Sequence, residues 1–220
     1  NGSGIATIVF TTHTVSGTVA TVTGTDGDAL VGTTGNITTT VGTATKYLVT
    51  SSNILPVAGS TVTISAQLAD ANNNAVATAG KTVTWTKSDA NGSFATATST
   101  TNGSGIATIV FTTHTVSGTI TTVTGTDGDA LAGTTGNITT TVSSATKYLV
   151  TSSSSSAVAG STVTISAQLA DANNNAVATA GKIVTWTKSN INGSFATATS
   201  TTNGSGIATI VFTTHTVSGT

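Results

Sequence analysis

The clearest pattern along the chain is strict alternation of apolar and polar residues over short runs, the period of a half-buried β-strand. Residues 61–69, TVTISAQLA, set Val62, Ile64, Ala66 and Leu68 on one face and Thr61, Thr63, Ser65 and Gln67 on the other. Residues 81–87, KTVTWTK, turn Val83 and Trp85 inward between Thr82, Thr84 and Thr86, which makes Trp85 the expected anchor of a core. Residues 44–50, ATKYLVT, read as a first strand, and the irregular connection after it carries Pro56, which has no N–H for a central ladder. Residues 93–100, SFATATST, read as a weaker strand around Phe94. After the turn Asn102-Gly103-Ser104-Gly105, whose glycines permit positive φ, Ala107, Ile109 and Phe111 form a core face. The opposite face of that strand carries Ile106 and Val110, so partial cover by a neighbour or loop is expected there. In residues 119–126 the apolar Ile120 and Val123 lie three apart, and a β-bulge at Thr121 and Thr122 would bring both to the core. Residues 136–142 close the set, with Ile138 and Val142 on one side. Seven short strands separated by turn signals predict an all-β, antiparallel sandwich.

The pattern repeats. The stretch NGSGIATIVFTTHTVSGT begins at Asn1, again at Asn102 and again at Asn203, a spacing of 101 residues each time. That period is too long for a solenoid coil and right for a small domain. The expected organisation is therefore the C-terminal part of one module in 1–43, a complete module in 44–144 and the N-terminal part of the next in 145–220. Residues 1–119 differ from 102–220 at only 12 positions, so neighbours similar enough to exchange strands stand side by side. Only Ser143 and Ser144 separate the last strand of one module from the first of the next, which predicts limited bending and end-to-end alignment. Each module would then advance the chain by roughly 35 to 45 Å. A subunit ending in an incomplete sandwich and beginning with the missing strands could be completed by its neighbour. Residues 1–18 and 203–220 are duplicates, however, and would supply one strand twice, which favours a window from a longer continuous chain.

Composition narrows the function classes. Six Lys and seven Asp, with no Arg or Glu, leave no charged face to neutralise a phosphate backbone or hold an anionic membrane. Absence of Cys excludes disulfides, a thiol nucleophile and thiolate metal sites. Met is absent too, which suits an exposed, oxidising, extracellular life. No apolar run approaches the roughly 20 residues that span a bilayer, and the N-terminal residues lack a signal-peptide pattern.

Residues 68–113, LADANNNAVATAGKTVTWTKSDANGSFATATSTTNGSGIATIVFTT, followed by VSGTITTVTGT, resemble the bacterial Ig-like domain of group 1, the module of invasin and intimin stalks. Asn73 stands where the turn of that family usually carries Gly. The resemblance implies tandem antiparallel Ig-like β-sandwiches of about seven strands, in a secreted or cell-surface protein. It also implies a structural role, as stalk or fibre of a filament or adhesin, with partners that are neighbouring modules of the same chain or other copies in a fibre. The alternative is an adhesive module that itself binds glycan, ice or a host surface protein, its rows of outward Thr serving as the array.

Candidate chemistry is sparse. Asp127-Gly128-Asp129, repeated at Asp26-Gly27-Asp28, offers two carboxylates to calcium, an ion that wants six to eight oxygens; a solvated loop is the other reading. DANNN places Asp70, Asn72 and Asn74 at the spacing of the first EF-hand ligands but lacks the following Gly and closing Glu, so it reads as a turn. His13, His114 and His215 are one position repeated, and read as a surface histidine without an oriented nucleophile nearby. Asn1, Asn36, Asn91, Asn102, Asn137, Asn192 and Asn203 head N-x-S/T triplets, which are expected by chance where more than a third of residues are Ser or Thr. Lys46 and Asn137 have the residue types of an isopeptide pair, but the usual acidic partner has no Glu to supply it. No catalytic, cofactor or metal residue is assigned, and no enzymatic activity is expected.

Overall fold

A computed structural model describes residues 2–217. Asn1 and residues 218–220, which belong to two copies of the repeated stretch, lie outside the described residues. The described residues form strands and turns, with no helix among them.

Between residues 44 and 141 two four-stranded antiparallel sheets face each other. The first has the order Ala44–Ser51, Thr61–Asp70, Ile106–Thr112, Ser93–Phe94. The second has the order Ala132–Thr134, Val123–Asp127, Thr82–Lys87, Thr98–Thr100. Alternation decides which side chains meet. Val62, Ile64, Ala66 and Leu68 from one strand, and Ala107, Ile109 and Phe111 from its neighbour, are buried against Val83, Trp85 and Val123 of the opposite sheet. Trp85 is 4% exposed, and its indole N–H donates to Ser99 Oγ at 2.8 Å, so the largest core side chain keeps its polar handle satisfied. Gly125 lies opposite Trp85 across the ladder. A Cβ there would stand 2.9 Å from Val83 Cγ1 and 3.1 Å from Trp85 Cζ3, so glycine makes the room the indole occupies. At the sandwich edge, Gly133 passes so close to the first strand that a Cβ would sit 2.0 Å from the Tyr47 carbonyl oxygen.

Four details differ from the sequence reading. The 93–100 run is two short strands in opposite sheets, Ser93–Phe94 and Thr98–Thr100, so more than seven strands build the sandwich. The 119–126 run also divides, into Ile120–Thr121, paired with Ile138–Thr139, and Val123–Asp127, paired with Thr82–Lys87. No bulge brings Ile120 inward: it is exposed, and Thr121, Val123, Gly125 and Asp127 keep simple alternation with Thr121 buried. The closing run buries Ile138 and Thr140 while Val142 stays exposed. Finally, Ile106 is half-buried, but Val110 is 47% exposed and gains no cover. Buried threonine is the common cause. Thr140 Oγ1 donates to the Val116 carbonyl at 2.7 Å and Thr135 Oγ1 accepts from Val123 N at 3.0 Å, so hydroxyls hold inward positions by bonding backbone.

The flanking stretches repeat parts of this plan. Residues 147–213 rebuild the first sheet with the same register displaced by one repeat, Ile207 opposite Gln168 as Ile106 is opposite Gln67. Their second sheet has only Ile183–Thr185 and Thr199–Thr201. Residues 19–38 form two short strand pairs, Val19–Ala20 with Ile37–Thr38 and Thr23–Thr25 with Val31–Thr33. Residues 5–10, the copy of a core strand, are unpaired, and Ile8 is 82% exposed.

Candidate functional site

The residues that do most outside the cores are those of the DANNN turn, and they face the neighbouring unit. Asp70 Oδ1 accepts the backbone N–H groups of Asn72 and Asn74, each at 2.9 Å, which folds the turn around its own carboxylate. Asn73 takes the left-handed conformation (φ 69°) that the family turn fills with Gly and that Asn tolerates. Asp70 Oδ2 accepts from Asn74 Nδ2 and from the backbone of Gly42, both at 2.9 Å. Gly42 belongs to the connector from the preceding unit, so one carboxylate ties turn to connector.

Asn74 then reaches further. Its Nδ2 donates to the Thr14 carbonyl and its Oδ1 accepts from Ser16 N, both at 2.9 Å. A side-chain amide thus reads donor and acceptor of a backbone segment in the preceding unit at once. The arrangement recurs one repeat later. Asn175 Nδ2 donates to the Thr115 carbonyl and Oδ1 accepts from Ser117 N, both at 2.8 Å. Asp171 accepts from Asn173 N and Asn175 N at 2.9 Å and from Ser143 N, in the next connector, at 3.2 Å. This second joint has an extra contact, Asn173 Nδ2 to the Ala58 carbonyl at 2.9 Å. Asp171 and Asn175 are buried in it, whereas Asn74 is half-buried.

The receiving loop is shaped by the repeated histidine. His114 Nδ1 accepts from Val116 N at 2.7 Å, and the Val116 carbonyl accepts the hydroxyls of Thr119 at 3.0 Å and Thr140 at 2.7 Å. The loop therefore holds the Thr115 carbonyl and Ser117 N–H where the incoming amide needs them. His114 is half-buried and folds its own loop; His13 Nδ1 likewise accepts from Val15 N at 3.0 Å.

Electrostatics follow from this geometry. Hydrogen bonds from the Asn74 carboxamide, then from Gly42 N–H, pull the Asp70 carboxyl down to about 2. For Asp171 burial works against ionisation, but the Asn175 carboxamide and the N–H groups of Asn175, Ser143 and Asn173 outweigh it and hold the group below the usual range.

The calcium candidates have other partners. Asp127 is buried; its Oδ1 accepts from Asp129 N and Leu131 N at 3.0 Å, and its Oδ2 accepts the Tyr47 hydroxyl at 3.1 Å. Burial first, and then that bond, raise the Tyr47 phenol above its ordinary value. Asp129 forms an ion pair with Lys81. No group of three or more His, Cys, Asp or Glu with metal-site geometry occurs among the described residues. Lys46 Nζ donates to the Ala71 carbonyl at 3.2 Å, on the turn side of its strand.

The sheet orders, with a buried tryptophan on the central strand of the second sheet, define an Ig-like β-sandwich carried on a tandem array. Solved structures similar to the chain include bacterial Ig-like adhesin domains, the group its sequence resembles. The D0-D1 domains of intimin are 20% identical over 77% of this chain and 85% of theirs, with a TM-score of 0.38. FdeC, an Escherichia coli adhesin, is 17% identical over 84% of this chain and 60% of its own (TM-score 0.44). The Yersinia pseudotuberculosis adhesin InvE is 18% identical over 76% of this chain and 51% of its own (TM-score 0.41). A family 2 glycosyl hydrolase from Bacteroides cellulosilyticus matches 50% of this chain and 16% of its own at 14% identity (TM-score 0.40). No protein-family model and no curated protein matches the sequence.

Proposed function

We propose that this chain is a length of extracellular stalk or fibre, cell-surface or secreted, in which Ig-like units 1–43, 44–144 and 145–220 follow one another through fixed joints. The observation that carries this reading is the amide clamp, present at both joints with the same atoms and nearly the same distances. A flexible tether needs no such clamp. A loop recognising a foreign ligand would leave these amides free, whereas here they are spent on the neighbouring unit. The work of the chain is then reach and stiffness, with each unit oriented by the one before it. The uncharged, Thr-rich outer faces keep the sheets soluble without charge repulsion along the array.

The test is Asn175→Ala in the full chain. Two backbone groups lose their partner, at a cost of about 1 to 3 kcal/mol if they stay dry. Small-angle scattering should show a broader distribution of end-to-end distances, while the Trp85 sandwich unfolds at its usual temperature. An unchanged scattering profile would remove the joint from the functional account.

A further inference from the structure

Two bare faces of this chain are complementary halves of the same sandwich. The first lies in the C-terminal stretch, where Tyr148, Val150, Ile165, Val184, Trp186 and Phe212 line a cleft of about 460 Å³. Their counterparts one repeat earlier, Tyr47, Val49, Ile64, Val83, Trp85 and Phe111, are buried beneath Val123–Asp127, Ala132–Thr134 and Ile138. Val49 is 8% exposed and Val150 60%, although the two occupy the same place in the same strand.

The second face belongs to residues 19–38, which repeat 120–139 with changes only at Val19, Ala20 and Val31. They are already folded in the shape that covers the Trp85 core: Gly24 is opposite Gly32 as Gly125 is opposite Gly133. In the central unit a Cβ on either glycine would collide with the opposite sheet, yet at Gly24 and Gly32 it would meet nothing within 4 Å. A surface contoured for a partner, glycine by glycine, therefore stands open.

We propose that residues 19–38 of a second copy of this chain fill the cleft at Trp186. The central unit gives the register: Gly24 opposite Trp186, Asp26 opposite Val184, and the Tyr148 hydroxyl donating to the Asp26 carboxylate. The duplicated strand is no obstacle. Ile207–Thr213 already holds its place beside Thr162–Ala170 within its own copy, at an effective concentration a second molecule does not reach. Residues 5–10 of the incoming copy are excluded and stay unpaired, as they are here. Donor and acceptor surfaces differ, so the contact is heterologous and copies add head to tail into an open filament. This inference is independent of joint stiffness, since a chain with loose joints would still present both faces.

Sedimentation of the 220-residue chain over a dilution series is the test. The expected result is a concentration-dependent ladder of oligomers, with tryptophan emission shifting to shorter wavelength as Trp186 is covered. Gly32→Val should weaken association at least about tenfold, a difference of roughly 1.4 kcal/mol, while the Trp85 sandwich unfolds unchanged. Val184→Asp should do the same from the acceptor side. Each variant alone should stop at the monomer, and their mixture should give one-to-one dimers, because each retains the face the other lacks. A monomer at every concentration up to about 1 mM, or oligomers indifferent to both substitutions, would overturn the proposal.

Discussion

Trp85 and Trp186 sit in the same sequence, TVTWTK against IVTWTK, and in different surroundings. Around Trp85 the strand runs for six residues, Thr82–Lys87, and pairs on both sides. Around Trp186 it shortens to Ile183–Thr185, pairs only with Thr199–Thr201, and leaves the indole half-buried. The first sheet is the same in both places, register included. One sheet is therefore specified by the residues within it, whereas the second needs a strand from beyond the repeated turn at Asn102. The hydrophobic contribution of the indole follows that strand rather than the local sequence.

The largest consequence is an unequal cost for the same substitution. Trp85→Ala removes a fully enclosed side chain and should destabilise its sandwich by about 3 to 5 kcal/mol. Trp186→Ala, half-exposed and already beside a cleft, should cost about 1 to 2 kcal/mol in the dilute chain. Denaturant unfolding followed by circular dichroism measures both. Equal losses would mean that the Trp186 face is covered in solution, and would move the comparison from incomplete against complete to two complete shells.

A smaller effect separates the shells from the joints between them. The folded-state pKa of Asp70, about 2, lies below its ordinary 3.8. A depressed carboxyl stabilises the state that depresses it, so its contribution is whole above the ordinary value and is lost as pH falls from there toward 2. Asp171 shifts in the same direction. Scattering profiles of the chain should therefore superimpose from neutral pH down to about 4 and broaden below it. Broadening that begins near pH 6 would assign the joint to some other group.

Much of the sandwich was legible because burial enforces a period of two, and Val62 to Leu68 or Ala107 to Phe111 display it without ambiguity. The reading failed where threonine goes inside. Ile120 and Val123 looked like a broken period only because Thr121 was counted as outward, whereas its place in the alternation is buried. The joint was invisible for another reason. DANNN was legible as a turn, but Asn175 and Ser117 are 58 residues apart, and a polar contact between two loops has no periodicity to announce it. The available signal was the co-repetition of DANNN, HTVSG and a two-residue connector at one fixed spacing.

The smallest effect asks whether residues 19–38 share the fate of the shell they resemble. Ala130 and Ala29, one repeat apart, both adopt left-handed backbone, φ 62° and 61°, a conformation that costs an alanine roughly 1 to 2 kcal/mol. Glycine removes that cost but gives back roughly 0.5 to 1 kcal/mol through the freedom of its unfolded chain. Ala130→Gly should therefore raise the stability of the Trp85 sandwich by about 0.5 to 1 kcal/mol, a few degrees in melting temperature. Its turn closes that sandwich directly, through the bonds Asp127 makes to residues 129 and 131. Ala29→Gly relieves the same strain in a hairpin that covers no core of its own, and should leave the main transition where it was. Equal shifts would show that residues 19–38 melt with the central unit, and the clamp at Asn74 would then transmit stability as well as orientation.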